Sequence, residues 1–211
     1  AWFEDPDVTL QELRRYILIL KPRAAPGVDN ITKSHLEALP DTWLTHMTYI
    51  FNWCLKLGYF PDIWKIGRLV TIPKVGVDPR QMTAHRPLTL TSTMGKLLEH
   101  AILSRLSTRL ADRIPRWQYG FKPGASTIHP LLGIMAALQK HRASAYWCAA
   151  VMLDFQKAFD KVWHPQLLSK LRPAGRNLHA IVKSCHCWGA ARRNLVPLPV
   201  FPLPFRSAAG P

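Results

Sequence analysis

An almost uninterrupted apolar run, residues 146–153, leads directly into the carboxylate of Asp154 and constrains the fold more than any other feature. Short apolar runs bounded by polar residues are typical of strands that are buried on both faces. The run therefore predicts a strand buried on both faces. The hydrophobic fraction of 48% and the charged fraction of 19% indicate a chain that folds.

Helical spacing of apolar residues is clear in the first part of the chain. A capping-box pattern, Thr9 with Glu12, predicts a helix that runs to about residue 20. A second helix is predicted from Asp41, which caps it, to Gly58, which closes it. Its apolar face is expected to be core and consists of Leu44, Met47, Ile50, Phe51, Cys54 and Leu55.

The middle and the end of the chain show further elements. Residues 67–73 predict a strand, and residues 94–112 predict the clearest helix, with Lys96, Arg105 and Arg109 on a solvated face. Helices are also predicted over residues 126–141 and 177–188. The five prolines of residues 196–211 predict an irregular segment.

The formal net charge of +15 suggests a polyanionic partner such as nucleic acid. More than half of this surplus lies in the last quarter, because the residues from Lys161 onwards include eight basic residues and no acidic one. The charge alone is therefore poor evidence for a nucleic-acid site. No apolar run of membrane-spanning length and no signal-peptide pattern is present, so we expect a soluble, intracellular protein with no membrane partner.

Asp154 is the first candidate for chemistry. A rigid strand can present a carboxylate at the edge of a sheet, where a hard cation such as Mg²⁺ binds through oxygen. A surface turn after a core strand would leave the same pattern. The residues by themselves leave both interpretations open.

Two cations and a glycine-rich loop are candidates for binding phosphate. Lys74 directly follows the predicted strand and Arg86 lies a short loop later, so the pair could clamp a triphosphate; each could equally be an ordinary surface cation. Gly120 and Gly124 permit close approach of the backbone to a ligand. Residues 118–127 match neither the P-loop nor the GxGxxG pattern, which argues against a mononucleotide kinase and a dinucleotide-binding fold.

Seven short segments occur in an order that resembles the reverse transcriptases of non-LTR retrotransposons, and most closely those of the jockey-like elements of insects. The resemblance covers about residues 24–171. The segments are PGVDNI (26–31), PDIWK (61–65), IPK (72–74), HRPLTL (85–90), GKLLE (95–99), QYGFKPGAST (118–127) and LDFQKAFDKVWH (153–164).

The resemblance implies a role for particular residues. Asp154 would be the first of three catalytic aspartates that ligate two Mg²⁺ ions, helped by the main-chain carbonyl of Phe155. Phe159 would be the aromatic steric gate against a ribose 2′-hydroxyl, and Lys74 and Arg86 would hold the incoming triphosphate. The loop near template and nucleotide would include Gln118, Gly120, Phe121, Lys122, Gly124 and Ser126.

The resemblance also implies a fold and partners. We expect an α/β fold, namely the helix-rich fingers and the first part of the palm of a right-hand polymerase. The implied partners are an RNA template, a DNA primer and dNTPs. The expected division is an N-terminal helix (1–23), fingers and partial palm (24–172), and a degraded or frameshifted Pro-rich basic tail (173–211). The resemblance leaves the compartment open between nucleus and cytoplasm, and it leaves the oligomeric state open.

The family's later motifs are missing from this sequence. No Pro-Gln-Gly-Ser segment and no Ala-Asp-Asp pair follow residue 171, and Asp160 is the last acidic residue. Because two close Mg²⁺ ions need more anionic oxygen than one aspartate offers, we expect this polypeptide alone to be an inactive N-terminal fragment. The alternative is a non-catalytic basic retroelement relic that only binds nucleic acid.

Overall fold

The structure, a computed structural model, describes residues 6–76, 78, 80–81, 84–140, 151–155, 161–172 and 175–185. The chain divides into two compact units, Ala1–Leu110 with Lys157–Val196 and Ala111–Gln156 with Pro197–Pro211. The described elements of the first unit are α1 (Leu10–Ile19), α2 (Lys33–Glu37), α3 (Asp41–Leu57), α4 (Asp62–Lys65), β1 (Gly67–Pro73), β2 (His85–Thr91), α5 (Thr93–Leu110), α7 (His164–Leu171) and α8 (Arg176–Cys185). Those of the second unit are a 3₁₀ turn, Ala111–Arg113, and α6 (Ile128–Lys140).

Helix α1 begins as predicted, but only half of the capping box forms. The Thr9 hydroxyl accepts a hydrogen bond from the backbone N–H of Glu12 at 3.2 Å. The Glu12 carboxylate instead bonds to Tyr16 and to Arg105. The local pattern assigned the Glu12 side chain to the helix cap, but this side chain instead bonds to Arg105, which is distant in sequence.

Helix α3 ends as predicted, because Gly58 adopts φ +63°, the left-handed conformation that favours glycine. Asp41 is its first helical residue, and Pro40 rather than Asp41 occupies the capping position. The predicted core face is buried with one exception: Ile50 is 48% exposed. Ile50 lies at the border of the apolar stripe, on the side that turns away from α1 and α8.

The core of the first unit lies between helices. Helix α1 packs on both α3 and α5, and α8 packs on α3. The interior side chains, all at most 2% exposed, include Leu13, Phe51, Leu97, Leu98, Leu106, Leu171, Leu178 and Ile181. In the described part of the chain no helix is long and apolar enough to cross a membrane.

Helix α8 corresponds to the helix predicted over residues 177–188. The backbone N–H of Phe60 donates to the Ser184 hydroxyl at 3.0 Å, and a Cβ at Gly58 would lie 2.6 Å from the Cβ of Ala180. The predicted tail, residues 173–211, thus begins with a well-packed helix. The excess of basic residues in this part of the sequence did not indicate that the helix has a buried face. The irregular segment predicted over residues 196–211 lies outside the described residues.

The two strands form an antiparallel hairpin. β1 was predicted with its observed bounds, whereas β2 was not predicted, because it contains Pro87 and Pro lacks the N–H that a ladder needs. Pro87 is tolerated in a sheet that has only two strands among the described residues. Thr71 pairs with it across the ladder.

The prediction of a buried strand over residues 146–153 is wrong for residues 151–153, the part of it that the structure describes. Residues 141–150 lie outside the described residues, and residues 151–155 are not in a strand. Val151, Met152 and Leu153 are 81%, 94% and 83% exposed. An apolar run shows what a segment can bury, but burial also needs neighbouring strands, and the described sheet holds only β1 and β2.

Arg105 was predicted on a solvated face, and this prediction is wrong. It is 6% exposed and donates to both carboxylate oxygens of Glu12, at 3.1 and 3.3 Å, and to the carbonyl of Pro6 at 2.8 Å. Burial alone would raise the pKa of Glu12, but hydrogen bonds from Tyr16 and Arg105 outweigh it and lower that pKa. Helical spacing could not distinguish this buried cation from Lys96 and Arg109.

Replacing Arg105 should test this buried ion pair. We expect Arg105→Met to lower the free energy of unfolding by about 3 kcal/mol, because Glu12 and the Pro6 carbonyl lose their partner in a desolvated site. Arg15→Met on the exposed side of α1 is the control and should change it by less than about 0.5 kcal/mol. Urea denaturation followed by circular dichroism measures both, and equal effects would contradict the assignment.

Glu99, also on α5, makes the stability of the folded chain depend on pH. Burial raises its pKa to about 8, against the opposing charge of Lys96. In the unfolded chain the pKa of a glutamate is near its ordinary value of 4.5. Between these two values the folded state holds a proton that the unfolded state has lost, so stability falls as pH rises.

We therefore expect Glu99→Gln to remove a negative slope in stability between about pH 5 and pH 8. The slope for one proton is at most about 1.4 kcal/mol per pH unit. Urea denaturation at pH 5, 6.5 and 8 measures it, and the variant should gain on the wild type as pH rises. A constant difference between the two across this range would contradict the shift.

Candidate functional site

The hairpin brings Lys74 and Arg86 together. Lys74 follows β1 and extends the ladder by one bond, since its N–H donates to the carbonyl of Ala84 at 2.6 Å. Ile72 pairs with Arg86. Strand alternation then puts Lys74 and Arg86 on the same face as diagonal neighbours, with backbones about 7–8 Å apart.

Both cations lie at the same end of the hairpin. Arg86 is exposed and Lys74 is half-buried. Arg68, near the opposite end of the hairpin, is exposed too. At about 3.4 Å per residue it lies about 20 Å from Lys74, too far to share a triphosphate with it.

The far end of β2 is held by the segment that contains Gly27 and Asp29. The Ser92 hydroxyl donates to the Asp29 carboxylate at 2.6 Å and accepts the backbone N–H of Met94 at 3.1 Å, which caps the start of α5. Gly27 packs against this junction so closely that a Cβ would lie 2.7 Å from the Ser92 nitrogen. The PGVDNI segment thus supports the strand that carries Arg86, a role that its sequence did not reveal.

The glycine-rich loop belongs to the second unit and leads into α6. Gly124 adopts φ +75°, and Phe121, 56% exposed, adopts φ +58°, which is unusual for a residue other than glycine. The Gln118 side chain donates to the carbonyl of Gly120 at 3.1 Å. Lys122 is exposed on the same loop.

His129 fastens this loop to α6, and sequence reasoning missed it. Its ring lies 5.8 Å from the ring of Tyr119 in a stacked arrangement, and its Nδ1 accepts the backbone N–H of Ser126 at 3.0 Å. The Ser126 hydroxyl accepts the N–H of Ile128 at 3.3 Å. The sequence signal for this cap was Ser126 followed three residues later by the polar side chain of His129. Thr9 and Glu12 have the same capping-box spacing.

The predicted metal residues are described only in part. Asp154 is exposed and Phe155 is 79% exposed, and Phe159 lies outside the described residues. Within those residues no group of three or more histidine, cysteine, aspartate or glutamate side chains could hold a metal ion. One carboxylate does not suffice for two Mg²⁺ ions, so these residues alone do not fit the metal pair that the resemblance implied.

Profile comparison identifies the class of protein. The reverse transcriptase (RNA-dependent DNA polymerase) family matches residues 72–194, more than half of the chain. The chain therefore belongs to this family, which confirms the predicted resemblance. The match contains Lys74, Arg86, the glycine-rich loop and Asp154, and it continues through α8, beyond residue 171 where the recognisable motifs stopped.

The proteins similar to this chain include polymerases of insect non-LTR retrotransposons. The chain is 36% identical over 180 residues to the RNA-directed DNA polymerase from mobile element jockey of Drosophila melanogaster, which covers 84% of this chain and 20% of that protein. It is 33% identical over 171 residues to the probable RNA-directed DNA polymerase from transposon BS of the same species, covering 78% and 18%. The chain thus spans about a fifth of the length of these relatives.

The packing of Gly27 can be tested directly. We expect Gly27→Ala to lower the free energy of unfolding by about 2 kcal/mol, because the new Cβ meets backbone atoms of Thr91 and Ser92 that cannot move aside cheaply. Val28→Ala, next to it and 56% exposed, is the control and should have little effect. Urea denaturation compares the two; an unchanged midpoint for Gly27→Ala would mean that the segment does not hold the β2–α5 junction.

Proposed function

We propose that this chain supplies the fingers and the first part of the palm of an RNA-directed DNA polymerase encoded by a non-LTR retrotransposon. In this proposal the hairpin and the helices around it belong to the fingers, and the segment around Asp154 begins the palm. The partners are an RNA template, a DNA primer and dNTPs. The observation that carries the proposal is that Lys74 and Arg86 are diagonal neighbours at one end of the hairpin, within the family match.

Lys74 and Arg86 would bind the triphosphate of the incoming nucleotide. The guanidinium of Arg86 can donate two parallel hydrogen bonds to phosphate oxygens, and the ammonium of Lys74 acts as a point charge beside it. The hairpin backbone and the Ser92 cap fix the strand that carries Arg86, so less freedom is lost on binding. In the glycine-rich loop, Gly120 and Gly124 would permit close approach of template or nucleotide, with Lys122 facing phosphate.

By the family resemblance, Asp154 and the main-chain carbonyl of Phe155 would hold Mg²⁺, and Phe159 would be the steric gate against a ribose 2′-hydroxyl. With further carboxylates beside Asp154, bound Mg²⁺ would supply the charge for activating a primer 3′-hydroxyl and for stabilising the leaving pyrophosphate. Asp154 is one ligand and needs further carboxylates, and no acidic residue follows Asp160. We therefore propose that the 211-residue chain binds nucleotide but does not extend a primer by itself.

Triphosphate binding is the measurement that tests the site. We expect Arg86→Gln and Lys74→Gln each to weaken the affinity for a dNTP by about 10- to 100-fold, the loss of one charge-assisted contact. Arg68→Gln removes the same charge from the same hairpin at its other end and should leave the affinity unchanged. Isothermal titration calorimetry at fixed ionic strength compares the three variants. An equal loss of dNTP affinity in Arg68→Gln would mean that net charge, and not a site at Lys74 and Arg86, accounts for the effect.

Asp154→Ala separates the metal role from the binding of nucleic acid. It should weaken only the Mg²⁺-dependent part of dNTP binding and leave RNA affinity unchanged. Neither the unsubstituted chain nor the Asp154→Ala variant should extend a primer on an RNA template. Extension that Asp154→Ala abolishes would overturn the proposed inactivity, whereas RNA binding without any dNTP binding would favour the nucleic-acid-binding relic.

A further inference from the structure

One side of α3 exposes a continuous set of large side chains. We call this set the aromatic face; it consists of Trp43, His46, Tyr49, Ile50, Trp53 and Leu57. Its apolar members are between 48% and 68% exposed, while the opposite side of the same helix forms the core. The rings are in contact along the helix, Trp43 with His46 and His46 with Tyr49, each with centroids 6.4 Å apart.

The aromatic face is not suited to nucleic acid. The charged residues of α3 are Asp41 and Lys56, and they pair with Arg14 and with Asp7 on the neighbouring N-terminal segment. Within helix α3, the face therefore presents rings and aliphatic groups without a lysine or an arginine. Single-stranded nucleic acid binds to aromatic platforms that lie in a positively charged groove, and no such groove accompanies these rings on α3.

The spacing of the face is that of a helix that packs on another helix. Residues 43, 46, 50, 53 and 57 follow one another at intervals of three and four, the pattern of a coiled-coil seam. The series is nearly symmetric about Ile50, with Trp43 and Leu57 each seven residues away. An antiparallel copy would therefore place Ile50 against Ile50 and Trp43 against Leu57, as a two-fold interface requires.

We propose that the aromatic face is a dimer interface on which a second copy of this chain docks with its own α3 antiparallel. Five apolar side chains at roughly 60% exposure offer about 500–600 Å² per copy, since a fully buried aromatic side chain contributes about 150–250 Å². The two copies together would bury about 1,000–1,200 Å². This area is close to the lower bound for a specific interface and fits a reversible dimer.

Charge sets the salt dependence of this dimer. Each chain carries a net charge of +15, so two copies repel one another, while the face itself adds no like-charge contact. Added salt screens the repulsion and should strengthen the dimer. Association through a bridging nucleic acid would respond in the opposite way, because salt weakens phosphate contacts.

Sedimentation equilibrium of the 211-residue chain tests the proposal after nuclease treatment, at low and high salt. We expect a dimer that tightens with salt and that Trp53→Glu weakens at least about 100-fold, because both copies lose a central aromatic residue. Trp117→Glu is the matched control: Trp117 is 64% exposed, as Trp53 is 63%, and its substitution should leave the dimer intact. Circular dichroism confirms that both variants fold.

A cross-link locates the two-fold axis. Ile50→Cys should be joined to its own copy by a short bismaleimide, above the background of the unsubstituted chain, whereas Trp117→Cys should not. A monomer at all concentrations, a dimer that persists in Trp53→Glu, or a dimer that salt or nuclease dissolves would each overturn the proposal.

Discussion

The buried guanidinium of Arg105 is the contact on which the first unit depends. It joins the middle of α5 to Glu12 in α1 and to the carbonyl of Pro6. The same N-terminal segment is tied to α3, where Asn52 accepts the backbone N–H of Val8 at 2.6 Å. The Arg105 ion pair thus ties α1 to α5, and the Asn52 hydrogen bond ties the residues just before α1 to α3. The buried charge of Arg105 is tolerated because each of its donor nitrogens has a partner.

The hairpin that carries Lys74 and Arg86 is joined to these helices through α5, at the end of β2 opposite to Arg86. Ser92 caps α5 directly after β2, and Asp29 and Gly27 hold the cap from outside. The strand that carries Arg86 is therefore anchored at one end by a helix N-terminus and paired along its length with β1. Most of the hairpin lies within the residues that match the reverse transcriptase family, 72–194.

Much of the local structure and part of the site could be predicted. Thr9 and Gly58 mark helix ends through short-range chemistry, and β1 was recognised from its composition. Lys74 and Arg86 were identified as candidate phosphate ligands by their positions after a strand and a short loop. Strand β2, the cap formed by His129 and the support from Gly27 were missed, because each depends on a partner that local patterns do not specify.

The sequence by itself determined the family, the limits of most helices and the residues that carry charge. Only the tertiary structure decided which side chains are buried: Arg105 is enclosed, Ile50 is exposed, and the apolar residues 151–153 face solvent. The physical reason is that periodicity reports what a segment is able to bury, whereas burial requires a second surface. That surface comes from residues distant in sequence, so its position is a property of the fold.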